Sequence, residues 1–86
     1  MMADPREDIP QLVRTLVLPL VDNPEAVEIF SAETEDNTLL VELRVDADDA
    51  GKVIGRQGRV IKAIRTLCRA AGSRSGLAIE VELIDE

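Results

Sequence analysis

Two glycines, Gly55 and Gly58, break a run of apolar residues that recur at helical spacing. Before the pair, residues 50–54 have the spacing of a short helix, and after it residues 59–71 have the spacing of a longer one. Glycine accepts backbone conformations that a Cβ excludes, and it lets a ligand come close to the main chain. The sequence therefore predicts two helices joined by a tight turn.

This turn lies in a basic segment of an otherwise acidic chain. The 86 residues carry 10 Lys and Arg against 17 Asp and Glu, a formal net charge of −7. Residues 51–79 contain 7 basic and no acidic side chains, whereas residues 1–50 contain 3 basic and 13 acidic ones. Such an asymmetry attracts an anion to one place without making the whole surface bind polyanions. The second helix also begins here with unpaired N–H groups and the positive end of its dipole, which favours phosphate.

We predict that the glycine turn holds phosphate groups. Arg56, Gln57 and Arg59 place donor side chains in or beside the turn, and backbone N–H groups around the glycines supply further donors. Val53 and Ile54 are expected to offer an apolar floor to nucleic-acid bases. The predicted binding residues are Lys52, Val53, Ile54, Gly55, Arg56, Gln57, Gly58, Arg59 and Lys62.

The helix after the turn divides into two faces. Arg65 and Arg69 lie on the basic face but farther from the turn. We expect them to be solvent-exposed surface residues and not phosphate ligands. Cys68 falls in the apolar stripe and is predicted to be a buried, unreactive thiol, because the chain has no His to activate it. Gly72 is the expected residue just past the helix end. The predicted apolar face consists of Val60, Ile61, Ile64, Leu67, Cys68 and Ala71.

The N-terminal part of the chain predicts another helix. Asp8 is its expected N-cap, Pro10 lies in its first turn and Pro19 near its end. Its apolar face is predicted to pack on the chain's own sheet, and a partner surface is also compatible with so wide a stripe. That face consists of Ile9, Leu12, Val13, Leu16, Val17 and Leu20.

Alternating apolar residues predict three strands, over residues 27–35, 38–45 and 77–83. The first two are joined by a hairpin turn at residues 36–37. In the second and third strands the alternation is typical of a sheet that helices cover on one side and water covers on the other. In the first strand the predicted inward residues are Val27, Ile29 and Ala32, with Phe30 opposite.

These elements give the order α-β-β-α-α-β. The predicted fold is α+β, with a three-stranded mixed sheet and three helices on one face. Two helices separate the second and third strands, and such a crossover makes at least one strand pair parallel. We expect a flexible N-terminus over residues 1–7 and a single domain over residues 8–86. A chain this short is marginally stable alone, so dimerisation would help it.

Several other kinds of site are excluded by the sequence. A calcium loop fails because Ala50 stands where an oxygen ligand is needed and Gln57 stands where the bidentate Glu is required. A P-loop fails because Val53 follows Gly51-Lys52 where Ser or Thr is required. One Cys and no His leave no disulfide and no zinc site, so we expect no cofactor and no enzyme activity. No run of about 20 apolar residues predicts a membrane span. We expect a cytoplasmic protein, since a secretion signal is not evident.

Residues 51–65, with the sequence GKVIGRQGRVIKAIR, resemble the signature of K-homology (KH) domains, in which V-I-G-x-x-G joins two helices. Upstream, residues 19–25, with the sequence PLVDNPE, are similar to the small bacterial KH-domain proteins of the KhpA type. The resemblance covers nearly the whole chain and implies the type II arrangement of the KH fold. In KH domains this turn clamps the backbone of single-stranded RNA.

The resemblance implies a single-stranded RNA-binding protein that acts as a post-transcriptional regulator or RNA chaperone, with a role in cell shape and cell-wall regulation. It also implies a homodimer and a heterodimer with a larger KH-containing protein of the Jag type. The alternative is a dimerising protein-interaction adaptor with weak or no RNA binding. Arg56 and Gln57 favour RNA binding, because acidic residues between the glycines would repel phosphate. Phe30 is the sole aromatic, which disfavours modules that bind bases by aromatic stacking.

Overall fold

The computed structural model describes residues 4–84, which form three α-helices and one three-stranded sheet. Strand β2 pairs antiparallel with β1 and parallel with β3, so the sheet order is β1-β2-β3. The predicted element order and mixed sheet are confirmed. Over the described residues, no helix combines the length and apolar character needed to cross a membrane. The elements are α1 (Pro5–Val17), β1 (Glu28–Glu33), β2 (Thr38–Arg44), α2 (Ala50–Ile54), α3 (Arg59–Ser73) and β3 (Ala78–Leu83).

The core lies between the helices and one face of the sheet. Successive residues of a strand point to opposite faces, and in β2 Leu39, Val41 and Leu43 are buried beneath the helices. Leu40 and Glu42 of the same strand therefore lie on the face that no helix of the described chain covers. The helices contribute Ile9, Val13, Val17, Val53, Ile61, Ile64 and Cys68 to this core.

Helix α1 begins four residues earlier than predicted. Its N-cap is Asp4, whose carboxylate accepts a backbone N–H of the first turn at 3.0 Å. Pro5 takes the first helical position, where a missing N–H costs nothing. The predicted cap at Asp8 was wrong because the Asp-Pro pair upstream starts the helix first. The helix thus takes in part of the segment predicted to be flexible, and residues 1–3 lie outside the described residues.

Helix α3 continues through Gly72, which was predicted to end it. Gly72 is buried inside the helix, and a Cβ there would lie 2.4 Å from Cγ1 of Ile79. The left-handed residue after the helix is instead Gly76, with φ +69°. Gly72 is therefore required by the close packing of α3 on β3 and not by a helix cap.

Two apolar residues lie on the opposite side from the prediction. Ala32 pairs with Leu40 in the sheet, so it shares the uncovered face with Phe30. The prediction was wrong because strict alternation from Ile29 places residues 31 and 33 inward and not residue 32. Leu67 was assigned to the buried face of α3 but is 51% exposed, because no described element packs over that part of the helix.

Candidate functional site

The glycine turn forms between α2 and α3, where a single 3-10 turn, Arg56–Gly58, joins the two helices. Gly55 has φ +79°, and a Cβ there would lie 2.4 Å from Cγ2 of Val60. Gly58 has φ +73°, but the nearest atom to its Cβ would be Cε of Lys62 at 3.7 Å. Glycine is therefore required at position 55 because φ is positive and because a Cβ would clash with Val60. At position 58 glycine is required only because φ is positive.

Gln57 is the unusual residue of the turn. It has φ 58° and ψ 25°, the left-handed region that a residue with a side chain enters at a cost of about 1–2 kcal/mol. Strained residues of this kind cluster at binding sites, where the surrounding structure holds them. Here Gln57 is held between two glycines that need the same sign of φ.

The turn leaves two backbone donors for a ligand. The N–H of Gly55 donates to the carbonyl of Gly51 at 2.9 Å, and the N–H of Gly58 donates to the carbonyl of Gly55 at 3.1 Å. Within residues 4–84, no turn hydrogen bond uses the N–H of Arg56 or Gln57. The donors that remain are thus the two between the glycines and not those of the glycines themselves.

Exposed cations surround these donors. Nη2 of Arg59 donates to Oε1 of Gln57 at 3.3 Å, and Nζ of Lys62 approaches the carbonyl oxygen of Gln57 at 3.5 Å. The side chain of Arg56 is exposed on the turn itself. The fold therefore gathers Arg56, Arg59 and Lys62 around one polar turn, as a phosphate site requires.

The two apolar residues predicted as a base floor differ in accessibility. Val53 is 0% exposed and belongs to the core, so it supports the turn from below and cannot contact a base. Ile54, next to it, is 39% exposed. The surface available for an apolar contact beside the turn is therefore that of Ile54, because the helical period turns its neighbour inward.

Lys52 faces carboxylates and not the turn. Its ammonium group contacts the carboxylate of Asp22, and it donates to Oδ1 of Asp49 at 3.3 Å. The hydrogen bond to Asp22, and more weakly the one to Asp49, raises the pKa of Lys52. Lys52 is thus held in ion pairs with Asp22 and Asp49 where it lies.

Asp49 is the residue of this region that sequence reasoning missed. Its side chain is 0% exposed and accepts the N–H of Asp22 at 3.1 Å, the N–H of Asn23 at 3.0 Å and the side-chain amide of Asn23 at 3.2 Å. Burial alone would raise the pKa of this carboxyl, but those donors and Lys52 outweigh it, and the pKa is lowered. Asp46, Asp48 and Asp49 all precede α2, and the sequence carries no signal that only Asp49 is buried.

Comparison with known proteins now places the turn in a family. The sequence model of the KhpA/KhpB KH domain matches residues 10–83. The chain belongs to this family.

The family relatives are similar over most of their length. RNA-binding protein KhpA of Listeria monocytogenes serovar 1/2a is 48% identical over 75 residues, which are 87% of this chain and 97% of that protein. RNA-binding protein KhpA of Bacillus subtilis (strain 168) is 40% identical over 79 residues, 92% of this chain and 96% of that protein. These relatives are named for RNA binding. The turn over residues 55–58, which joins α2 and α3, is called the KH turn below.

A solved structure shows the same fold. The crystal structure of Era in complex with MgGDPNP and nucleotides 1506–1542 of 16S ribosomal RNA matches with a TM-score of 0.59 and 23% identity. The match covers 93% of this chain and 30% of that chain. The likeness supports the type II KH arrangement of the helices and the sheet.

The remaining cations of α3 lie away from the KH turn. Arg65 is half-buried, and its Nε donates to the carbonyl oxygen of Val81 at 3.0 Å. Arg69 is exposed on the same helix, one turn farther along. Arg65 therefore pairs with one carbonyl of β3, so its guanidinium is partly engaged within the fold.

Beyond the KH turn, the described residues include a buried thiol and a surface cleft. Cys68 is fully buried, as predicted, and burial raises the pKa of its thiol to about 11. Among residues 4–84, no three His, Cys, Asp or Glu side chains are grouped to hold a metal. A cleft of about 320 Å³ at the end of the sheet contains none of the predicted binding residues. Its lining residues are Ala26, Glu28, Arg44, Val45, Ala47, Ala50 and Ile84.

Proposed function

We propose that this KH domain binds single-stranded RNA through its KH turn. The observation that carries the proposal is the pair of backbone N–H groups of Arg56 and Gln57, left without a turn hydrogen bond within residues 4–84 and surrounded by exposed cations. A phosphate that accepts from these N–H groups lies within the field of Arg56, Arg59 and Lys62. Ile54 then offers an apolar contact to the adjoining base.

Binding by one copy is expected to be modest and sensitive to salt. Each phosphate neutralised on a single strand contributes about −0.7 to the slope of log affinity against log salt. With three cations at the turn, the expected slope is about −2. The acidic remainder of the chain adds no attraction for RNA.

Fluorescence anisotropy of labelled single-stranded RNA, at two salt concentrations, tests the site. The variant Arg56→Asp with Gln57→Asp is expected to lose binding, because two carboxylates would face the phosphate. Arg74→Asp with Ser75→Asp makes the same change of charge at the exposed far end of α3 and is expected to retain binding. Equal affinity of the folded turn variant and the wild type would refute the assigned site.

A protein-interaction role is the second candidate, and an exposed apolar stripe on α3 favours it. Leu67 is 51% exposed, and Ala63 and Ala70 lie exposed at positions four before and three after it on the same helix face. We propose that two copies pair through this stripe, which would also strengthen RNA binding by raising the effective concentration. Sedimentation equilibrium should show a dimer that Leu67→Glu converts to a monomer. A wild type that stays monomeric at every concentration measured would contradict the pairing.

The resemblance to KhpA-type proteins supports the cellular part of the proposal. We propose a cytoplasmic RNA chaperone or post-transcriptional regulator that also pairs with a larger KH-containing protein of the Jag type and influences cell shape and cell-wall regulation. Deletion of the gene in its own host should alter cell dimensions, and the wild-type gene should restore them. Restoration by the Arg56→Asp, Gln57→Asp variant would separate the cellular role from RNA binding and favour the adaptor.

A further inference from the structure

We infer that Asp49 is a positioning residue for the KH turn, with Lys52 as its counter-ion and not as a phosphate ligand. The inference rests on the proposed RNA binding by the turn. Asp49 stands directly before α2, where an Asp usually caps its own helix, yet its side chain makes no cap hydrogen bond. The carboxylate instead reaches across to residues 22 and 23, more than 25 positions back in the chain.

Hydrogen bonds to both carboxylate oxygens hold the side chain of Asp49 in one position. A buried carboxylate is tolerated only when hydrogen-bond donors replace the water it loses. Both of its oxygens are used here, Oδ1 by the N–H of Asp22 and the ammonium of Lys52, and Oδ2 by the N–H and side-chain amide of Asn23. Any shift of α2 relative to this loop would leave a buried charge without partners, so the contacts resist such a shift.

Helix α2 needs this anchor because it is too short to hold itself. It has 5 residues, whereas isolated helices shorter than about 12 residues are marginal in water. Val53 ties its far end into the core and Asp49 ties its near end to the loop. The KH turn follows immediately at Gly55, so these two anchors set where its N–H groups point.

The ammonium of Lys52 belongs to the same cluster. It lies between two carboxylates, those of Asp22 and Asp49. Moving it to a phosphate would take one hydrogen-bond donor and the nearby cation from the fully buried carboxylate of Asp49, which is unfavourable for a buried charge. Lys52 therefore supports the position of α2, and the cations open to phosphate are those on and after the turn.

Positioning and direct contact have different signatures in RNA binding. Loss of a phosphate contact lowers the steepness of the salt dependence by about 0.7 for each contact. Loss of preorganisation weakens affinity but leaves the number of phosphate contacts, and hence the slope, unchanged. The salt slope therefore separates the two roles even where both weaken binding.

The experiment measures RNA affinity as a function of salt for the wild type, Asp49→Asn, Lys52→Gln and Arg59→Gln, at a temperature where circular dichroism shows each variant folded. Asp49→Asn should weaken binding by about tenfold with the wild-type slope. Lys52→Gln should also keep that slope, whereas Arg59→Gln should make it shallower by about 0.7. Asn23→Ala removes one donor to Asp49 and should weaken binding less; it replaces Asp49→Asn if that variant does not fold.

Backbone ¹⁵N relaxation supplies a second readout. The amides of Arg56 and Gln57 should become more mobile in Asp49→Asn and stay rigid in Arg59→Gln. Wild-type affinity in folded Asp49→Asn, or a slope in Lys52→Gln that falls as it does in Arg59→Gln, would overturn the inference. Failure of the wild type to bind RNA would instead refute the proposed function, so the two failures are distinguishable.

Discussion

The KH turn and the uncovered face of the sheet are two exposed surfaces of the same small domain, and they carry opposite charges. The turn gathers exposed cations around two backbone donors. The sheet face presents Phe30, which is 54% exposed and pairs with Glu42, which in turn pairs with Glu82. The other charged residues of this face are Glu28, its cross-strand partner Arg44, and Glu80, so the face is acidic on balance.

The opposite charges of the two surfaces mean that an exposed aromatic side chain is not by itself enough to indicate a nucleic-acid site. RNA-binding sheets stack bases on aromatic side chains, and Phe30 is placed on a strand where such stacking could occur. The carboxylates around it would repel the phosphates that accompany any base. Charge therefore favours the KH turn as the RNA-binding surface, although the aromatic side chain lies on the sheet.

The largest expected effect comes from reversing charge at the turn. Arg59→Glu with Lys62→Glu should weaken RNA binding by about 100-fold or more, because like charges facing one another cost several kcal/mol. Arg69→Glu with Arg74→Glu makes the same change farther along α3 and should weaken binding much less. Equal losses in the two variants, measured by anisotropy, would mean that the basic segment acts as a whole and not through its turn.

The two glycines should differ in their effect on stability. Gly55→Ala should lower the free energy of unfolding by about 2 kcal/mol or more. The new Cβ would clash with Val60, and an alanine at this position would have to adopt a positive φ. Gly58→Ala should cost about 1–2 kcal/mol, because only its conformation is unfavourable. Urea denaturation of both variants measures the difference, and equal losses would contradict the close contact at Gly55.

Removing one of two facing carboxylates should stabilise the sheet. Glu42 and Glu82 lie directly opposite each other on the parallel pair of strands, and like charges so placed are unfavourable. Glu42→Gln should raise the free energy of unfolding by about 0.2–1 kcal/mol while leaving RNA affinity within about twofold. A marked change in RNA affinity would place RNA near this face.

The smallest effect is expected from the aromatic residue. Phe30→Ala should change RNA affinity by less than about twofold, whereas loss of a stacked base would cost about 1–3 kcal/mol. A matched substitution, Ile54→Ala, should weaken binding more, since Ile54 lies beside the turn. The reverse order of the two losses would move the base contacts from the turn to the sheet.

Local sequence patterns were sufficient to predict the fold and the position of the turn between α2 and α3. The spacing of apolar residues and the two glycines predicted α2 over residues 50–54, the start of α3 at Arg59 and the alternation of β2, and all three are confirmed. These features depend on neighbours within a few positions, which is why a pattern of period 2 or 3.6 is enough to predict them.

The roles of individual side chains at the site depended on contacts between distant parts of the chain. The sequence predicted Lys52 as a phosphate-binding cation, and the structure places Asp22, 30 residues away, against its ammonium. Gly72 is required by Ile79 packing against it, and Asp49 is buried because the loop at residues 22–23 covers it. Such pairings depend on how the helices pack on the sheet. The sequence gives the charge of each residue, but it does not show which distant residue will contact it.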